Sequence, residues 1–207
     1  MDKQELDNLE KEILDDASSS LSASIEYLNG MIRYFESDTK KLHKLATHSM
    51  VKVAKRGFKD GPEYSEWQTY ERALIRAVFA EVEGITMAMR KIVLWASERG
   101  DYNLSEIEYA NLSEKDRFNT CKDNFILAFK NFTSLFGSPY KINKQSPKWN
   151  TFLNSIKIRD GLMHPKSPLG FQISGDAAND IEETIKWLGE IFKELIESLP
   201  NVQGNQI

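Results

Sequence analysis

Residues 66–98 read EWQTYERALIRAVFAEVEGITMAMRKIVLWASE. Tyr70, Leu74, Ala77, Val78, Val82, Ile85, Met89, Ile92 and Trp95 recur at the spacing of one face of an α-helix. No proline interrupts the stretch, Ser65 stands at a capping position, and Gly100 follows where the helix should end. At ~1.5 Å per residue this helix spans ~50 Å, longer than most helices of globular proteins. A rod of that length with one apolar stripe needs other helices laid along it.

The flanking sequence supplies them. Upstream, Leu14, Leu21, Leu28, Phe35 and Leu42 recur every seven residues, with Ile25 and Ile32 four residues after two of them. The serines at 18, 19, 20, 22 and 24 lower helix propensity there without breaking the pattern. Asp38 is placed to cap a continuation over 39–58, and GFKDGPEYS (57–65) is expected to be a loop. Downstream, Ser105 opens a short helix. Ser113, with Asp116 three residues on, is expected to open another that carries Phe118, Cys121, Phe125, Phe129 and Phe132. Ser146 followed by Pro147 starts PKWNTFLNSIKIRDGLMH. Ser174 or Asp176 caps a last helix with Ile181, Ile185, Leu188, Phe192, Leu195 and Ile196 on its apolar face. Only LGFQI (169–173) reads as extended chain. The expected fold is all-α: a bundle of five to six helices with two long antiparallel spine helices. It forms one domain over 1–199, in which 1–20 is a frayed or dimer-contacting helical extension and 200–207 a flexible tail.

At 207 residues and 41% hydrophobic, the chain can bury a substantial core. Its one cysteine, Cys121, allows no internal disulfide and fits a reducing compartment. The acidic opening MDKQELDNLEKEILDD has no apolar leader, and no apolar run reaches the ~18 residues of a membrane span. A cytoplasmic protein with no membrane partner is expected.

The net charge of −4 argues against a general nucleic-acid binder, but the charges are segregated. Residues 1–16 carry seven acids against two lysines, and 177–198 are similarly acidic. Between 39 and 59 stand seven bases and no acid: Lys40, Lys41, Lys44, Lys52, Lys55, Arg56 and Lys59. From 141 to 166 there are six bases against Asp160 alone. Such segments are the footprint of a polyanion when they share a surface, and solvated helix faces when they do not.

Most catalytic signatures are missing. There is no phosphate-cradling glycine loop and no Gly-x-Ser-x-Gly, and Cys121 lies in an apolar helical pattern. His43 and His48 are five residues apart and match no zinc spacing, so neither a metal nor another cofactor is expected. Glu81 and Glu83, two apart on the long helix, point different ways and read as structural polar contacts.

One stretch stands out. In IKIRDGLMHPKSP (156–168) a helical pattern runs through Arg159 and Asp160, meets Gly161, reaches His164 and stops at Pro165. On an ideal helix Arg159 and His164 lie ~140° apart. Gly161 lowers the cost of distorting the last turn, and Pro165 pushes His164 out of the α region. Arginine is a permanent, planar partner for phosphate, and histidine is suited to proton transfer. Both residues also serve as ordinary cationic caps of a helix C-terminus.

Arg159-Asp160-x-x-x-His164-Pro165, at the end of the penultimate helix of an all-α chain, resembles the HEPN superfamily (higher eukaryotes and prokaryotes nucleotide-binding). The hallmark of that family is Arg, four to six residues, then His, commonly with a polar residue after the Arg. The resemblance extends more weakly to AEVEGITMAMRK (80–91) as the family's spine helix. It implies a metal-independent endoribonuclease working as a homodimer, a toxin or anti-phage defence effector held by an antitoxin or other regulatory protein. His164 would move protons, Arg159 would hold the scissile phosphate, and Asp160 would orient one of them. Lys157, Lys166, Lys52, Lys55 and Arg56 would track the RNA backbone. The tyrosine that some toxins of that family carry two residues after the histidine is replaced here by Lys166, which puts nucleotidyl modification at that position in doubt. The alternative is a non-catalytic HEPN-type module that dimerises or binds a partner protein through its acidic terminal helices.

Overall fold

A computed structural model describes residues 3–59, 61–113 and 120–199. Among them every regular element is helical: α1 (Lys3–Ser18), α2 (Leu21–Lys55), α3 (Pro62–Glu98), α4 (Glu106–Ser113), α5 (Cys121–Leu135), α6 (Pro147–Met163) and α7 (Gly175–Ser198), with a 3-10 turn at Pro168–Phe171. The described chain is therefore all-α, with seven helices where five or six were expected. No helix among the described residues is long and apolar enough to cross a membrane.

The extra helix comes from the serines. Ser18 Oγ donates to the Asp15 carbonyl at 2.9 Å, ending α1, while Ser20 Oγ accepts from Ala23 N–H at 3.1 Å, starting α2. Capping chemistry thus outweighs the seven-residue apolar repeat that runs through the break. Asp38, in contrast, starts nothing. α2 continues through it, and Asp38 pairs with Lys41 at 3.7 Å on the same helix surface. Pro62 sits at the first position of α3, where its missing N–H costs no bond, so the helix absorbs the end of the expected loop. Ser113 closes α4, and α5 is opened instead by Thr120, whose Oγ1 accepts from Asp123 N–H at 3.2 Å. Asp116, Phe118 and the 200–207 tail lie outside the described residues. LGFQI is mostly the 3-10 turn rather than extended chain.

Two compact units divide the chain. One takes in the described residues of Arg33–Glu83 and Ile142–Glu194. Here α2 and α3 run antiparallel: Thr39 Oγ1 donates to Glu81 Oε2 at 2.9 Å, and farther along Phe58 meets Trp67 edge-on at 6.3 Å. α6 and α7 close the core with aromatic rings. Phe152 stacks on Phe79 at 6.3 Å and tilts against Trp187 at 5.2 Å, and Trp149 meets Trp187 at 5.9 Å. Phe79, Phe152 and Trp187 are all buried, each worth ~1.5–3 kcal/mol in apolar transfer. Buried Gln68 clamps the chain after the 3-10 turn, donating to the Ile173 carbonyl and accepting from its N–H, both at 2.8 Å. A Cβ on Gly170 would come within 3.2 Å of Pro165 Cβ, so glycine is what lets the turn fold back.

The other unit takes in the described residues of Met1–Ile32, Gly84–Lys141 and Leu195–Ile207. Ile85, Met89, Ile92 and Val93 of α3 are buried there with Phe125, Phe129 and Phe132 of α5. Buried Arg90 donates to the Leu112 carbonyl through Nε at 3.0 Å and Nη2 at 2.6 Å, holding the end of α4. Such doubly bonded arginine is a scaffold element, since the burial of its charge is offset by hydrogen bonds.

Candidate functional site

α6 begins as its sequence indicates. Ser146 Oγ accepts from Trp149 N–H at 3.1 Å, and Pro147 occupies the first turn. The helix then stays regular through Gly161 to Met163. A Cβ on Gly161 would meet nothing within 4 Å, so the expected distortion at that glycine does not occur. The break comes one residue before the proline. His164 lies at φ −129°, ψ 59°, outside the α region, and its N–H donates to the Asp160 carbonyl at 3.0 Å. The His164 side chain is exposed.

Arg159 is held from two sides. Its Nη1 donates to Asp160 Oδ1 at 3.0 Å, and its Nη2 is paired with Glu83 of α3. The arginine side chain is 24% exposed, whereas those of Glu83 and Asp160 are about half exposed, at 49% and 55%. Asp160 therefore orients the arginine rather than the histidine. The guanidinium is pre-positioned, but one positive charge faces two negative ones. A phosphate reaching Arg159 has to displace or share at least one carboxylate.

Glu81, two residues before Glu83, has a different environment. It is buried, and burial raises its pKa to about 6; the Thr39 hydrogen bond opposes this, and the Glu36 charge adds to it. The α3 surface thus presents one carboxylate inward, near its titration point, and one outward to Arg159.

Lys166, two residues past His164, and Lys157 are exposed. Lys157 precedes Arg159 by two positions, which on an ideal helix turns it ~160° away. Arg56 pairs with Glu63 at 2.6 Å, in the first turn of α3. Glu63 and Glu83 are twenty residues apart on that helix, so the Arg56 and Arg159 guanidinium groups are ~30 Å apart along its axis. Lys55 and Lys52, in the last turn of α2, lie beside Arg56 in sequence. The structure brings Arg159, Asp160 and the start of the His164 loop together, and keeps Lys52, Lys55 and Arg56 at the far end of α3.

Glu83 is the residue that sequence reasoning passed over as a site component. A signal existed: positions 79, 80, 86 and 87, its neighbours one turn away, are Phe, Ala, Thr and Met. With no base in reach on its own helix, its cation had to come from elsewhere. His43 lines a small cavity of about 50 Å³ with Thr47, Met50, Glu71, Leu74 and Glu182. Glu71 there is buried, its pKa raised by burial against a hydrogen bond from Trp67 Nε1 at 3.1 Å. Among the described residues no group of three or more His, Cys, Asp or Glu is placed to hold a metal ion. No family model matches the chain, and no curated protein or solved structure matches it.

Proposed function

We propose that this chain is a HEPN-type endoribonuclease, active as a homodimer and independent of metal ions. The observation that carries the proposal is the last turn of α6: an arginine fixed by Glu83 and Asp160, followed within five residues by an exposed histidine at the helix cap. The 2′-OH of a ribose attacks the adjacent phosphorus, the P–O5′ bond breaks, and the products are a 2′,3′-cyclic phosphate and a 5′-OH end. One group removes the 2′-OH proton and another protonates the leaving O5′. Each chain supplies one histidine to this end of α6, so two copies supply both groups across a two-fold axis. Arg159, released in part from Glu83, holds the non-bridging oxygens and stabilises their charge in the transition state. Lys166 is near enough in sequence to follow the backbone. Lys52, Lys55 and Arg56 stand ~30 Å away along α3, outside the reach of a short RNA held at this end. The biological role that fits is a toxin or defence effector restrained by an antitoxin or other regulatory protein.

A second reading, a non-catalytic HEPN-type module that dimerises or binds a partner protein, is favoured by the same arginine. Two carboxylates already satisfy it, as in a purely structural cap. The two readings separate in one assay. The ribonuclease reading expects cleavage of single-stranded RNA in EDTA with 5′-OH ends, abolished by His164→Ala without change in helical circular dichroism. Wild type that is dimeric, partner-free and as inert as His164→Ala decides for the module.

A further inference from the structure

We infer that α1 is an inter-chain docking helix, whose apolar, acid-flanked stripe lies on the basic outer face of α2 in a second copy of this chain. Leu6, Leu9 and Ile13 of α1 are 49%, 44% and 48% exposed. At 100° per residue they fall within ~60° of one another, a narrow stripe. Ala17 continues that stripe and is buried. The stripe is therefore covered at its C-terminal end and open along the rest. A 16-residue helix is marginal in water without a buried face. Its last turn holds Asp15 and Asp16 and no base, which opposes the negative end of the helix dipole. Arg99 Nη1 donates to the Ser18 carbonyl at that end, but the Leu6–Leu9–Ile13 stripe has no apolar cover, and Glu12 and Asp16 have no lysine or arginine partner among the described residues.

α2 offers both on one surface. Lys41, Lys44, His48, Val51 and Lys55 recur at alternating spacings of three and four, and all are exposed. Lys52 and Leu45 flank them, with Leu45 and Val51 45% and 47% exposed. Among the described residues Lys44, Lys52 and Lys55 have no carboxylate partner. Residues 41–55 span ~22 Å and α1 spans ~24 Å, so the two faces match in length. Lysine stems together with Leu45 and Val51 cover the Leu6–Leu9–Ile13 stripe, while the ammonium groups reach Glu12 and Asp16 at its edge. RNA is the less fitting occupant, because the exposed aliphatic pair gives bases no aromatic surface to stack on. A second copy fits because every chain carries both faces, so two chains satisfy each other reciprocally.

A zero-length carbodiimide, which joins carboxylates to lysines, tests the contact on an equal mixture of ¹⁵N-labelled and unlabelled full-length chain. Mixed-isotope peptides linking Glu12 or Asp16 to Lys44, Lys52 or Lys55 are expected. They should disappear in Glu12→Lys/Asp16→Lys chain alone and in Lys44→Glu/Lys52→Glu/Lys55→Glu chain alone. Mixing the two reversed chains should restore inter-chain α1–α2 links of both polarities, one with the carboxylates on α1 and one with them on α2, and circular dichroism checks that each chain is folded. Links only within one isotope class mean that α1 serves its own chain and overturn the inference. So does the absence of such links in wild type, or their absence from the mixture of the two reversed chains. Protection of the three lysines by RNA, with no α1 link in its absence, assigns the face to nucleic acid instead.

Discussion

The two halves of α6 are held by different forces. In the first half, Trp149 and Phe152 are buried against Phe79 and Trp187, with ring centroids 5.2–6.3 Å apart. Toward the C-terminal end Leu162 is still buried, but the pairs Arg159 makes with Glu83 and Asp160 are ionic and partly exposed, and the chain leaves the helix at His164. Dispersion and apolar burial fix where the helix lies; the charged turn contributes little to that. The difference shows which residues are free to serve a function. A rigid aromatic anchor holds the arginine's backbone in place, so its side chain can exchange partners without loss of the fold.

Substitutions that strike one half and spare the other sharpen the contrast. Phe152→Ala should produce the largest loss, ~3–5 kcal/mol, because a fully buried ring leaves a cavity between Phe79 and Trp187. A urea titration measures it, and a loss under 1 kcal/mol would show that the anchor is not where the stability lies. Next is Glu81→Gln. The folded-state pKa of Glu81 is raised from 4.5 to about 6, so the folded protein binds this proton more tightly than the unfolded chain. Stability from this group is full below pH 4.5 and is lost as pH rises through about 6. The glutamine, which keeps an acceptor for Thr39, should therefore stabilise the protein by up to about 2 kcal/mol at pH 7.5 and hardly at all at pH 4.5. Equal effects at both pH values in thermal melts would remove the titration argument.

The smallest stability effects belong to the charged turn. Glu83→Gln should change stability by less than ~1 kcal/mol, since the pair it breaks is substantially exposed. In a His164→Ala background it should instead tighten RNA binding roughly fivefold, the equivalent of ~1 kcal/mol, by removing a competitor of phosphate. Fluorescence anisotropy at low salt reads this directly. Unchanged or weaker binding would make Glu83 a positioning residue for Arg159 rather than its competitor.

The same contrast explains what could be read from the chain alone. α3 and the start of α6 were legible because apolar periodicity and a Ser-Pro cap are local signals, carried by neighbours in sequence. The Arg159–His164 segment was legible for the same reason, as a helix meeting a proline. The break at Ser19 was not, because a seven-residue repeat and serine capping made opposite demands, and hydrogen bonds from Ser18 and Ser20 decided between them. Glu83 was hidden because its partner lies 76 residues away, and no spacing rule reports a pair between helices. The basic run at 39–59 was visible as composition. That Lys41, Lys44, His48 and Lys55 share one exposed face, while Arg56 turns to Glu63, depended on where α2 packs.

The central claim is that the ionic end of α6 is chemical and its aromatic end architectural. Incubation of dimeric wild type and His164→Ala with a 5′-labelled single-stranded RNA in EDTA tests it most directly. Cleavage to cyclic-phosphate and 5′-OH ends by the wild type, lost at least a thousandfold in the variant at unchanged thermal stability, is the result expected. Equal cleavage by both proteins, or none by either, contradicts it.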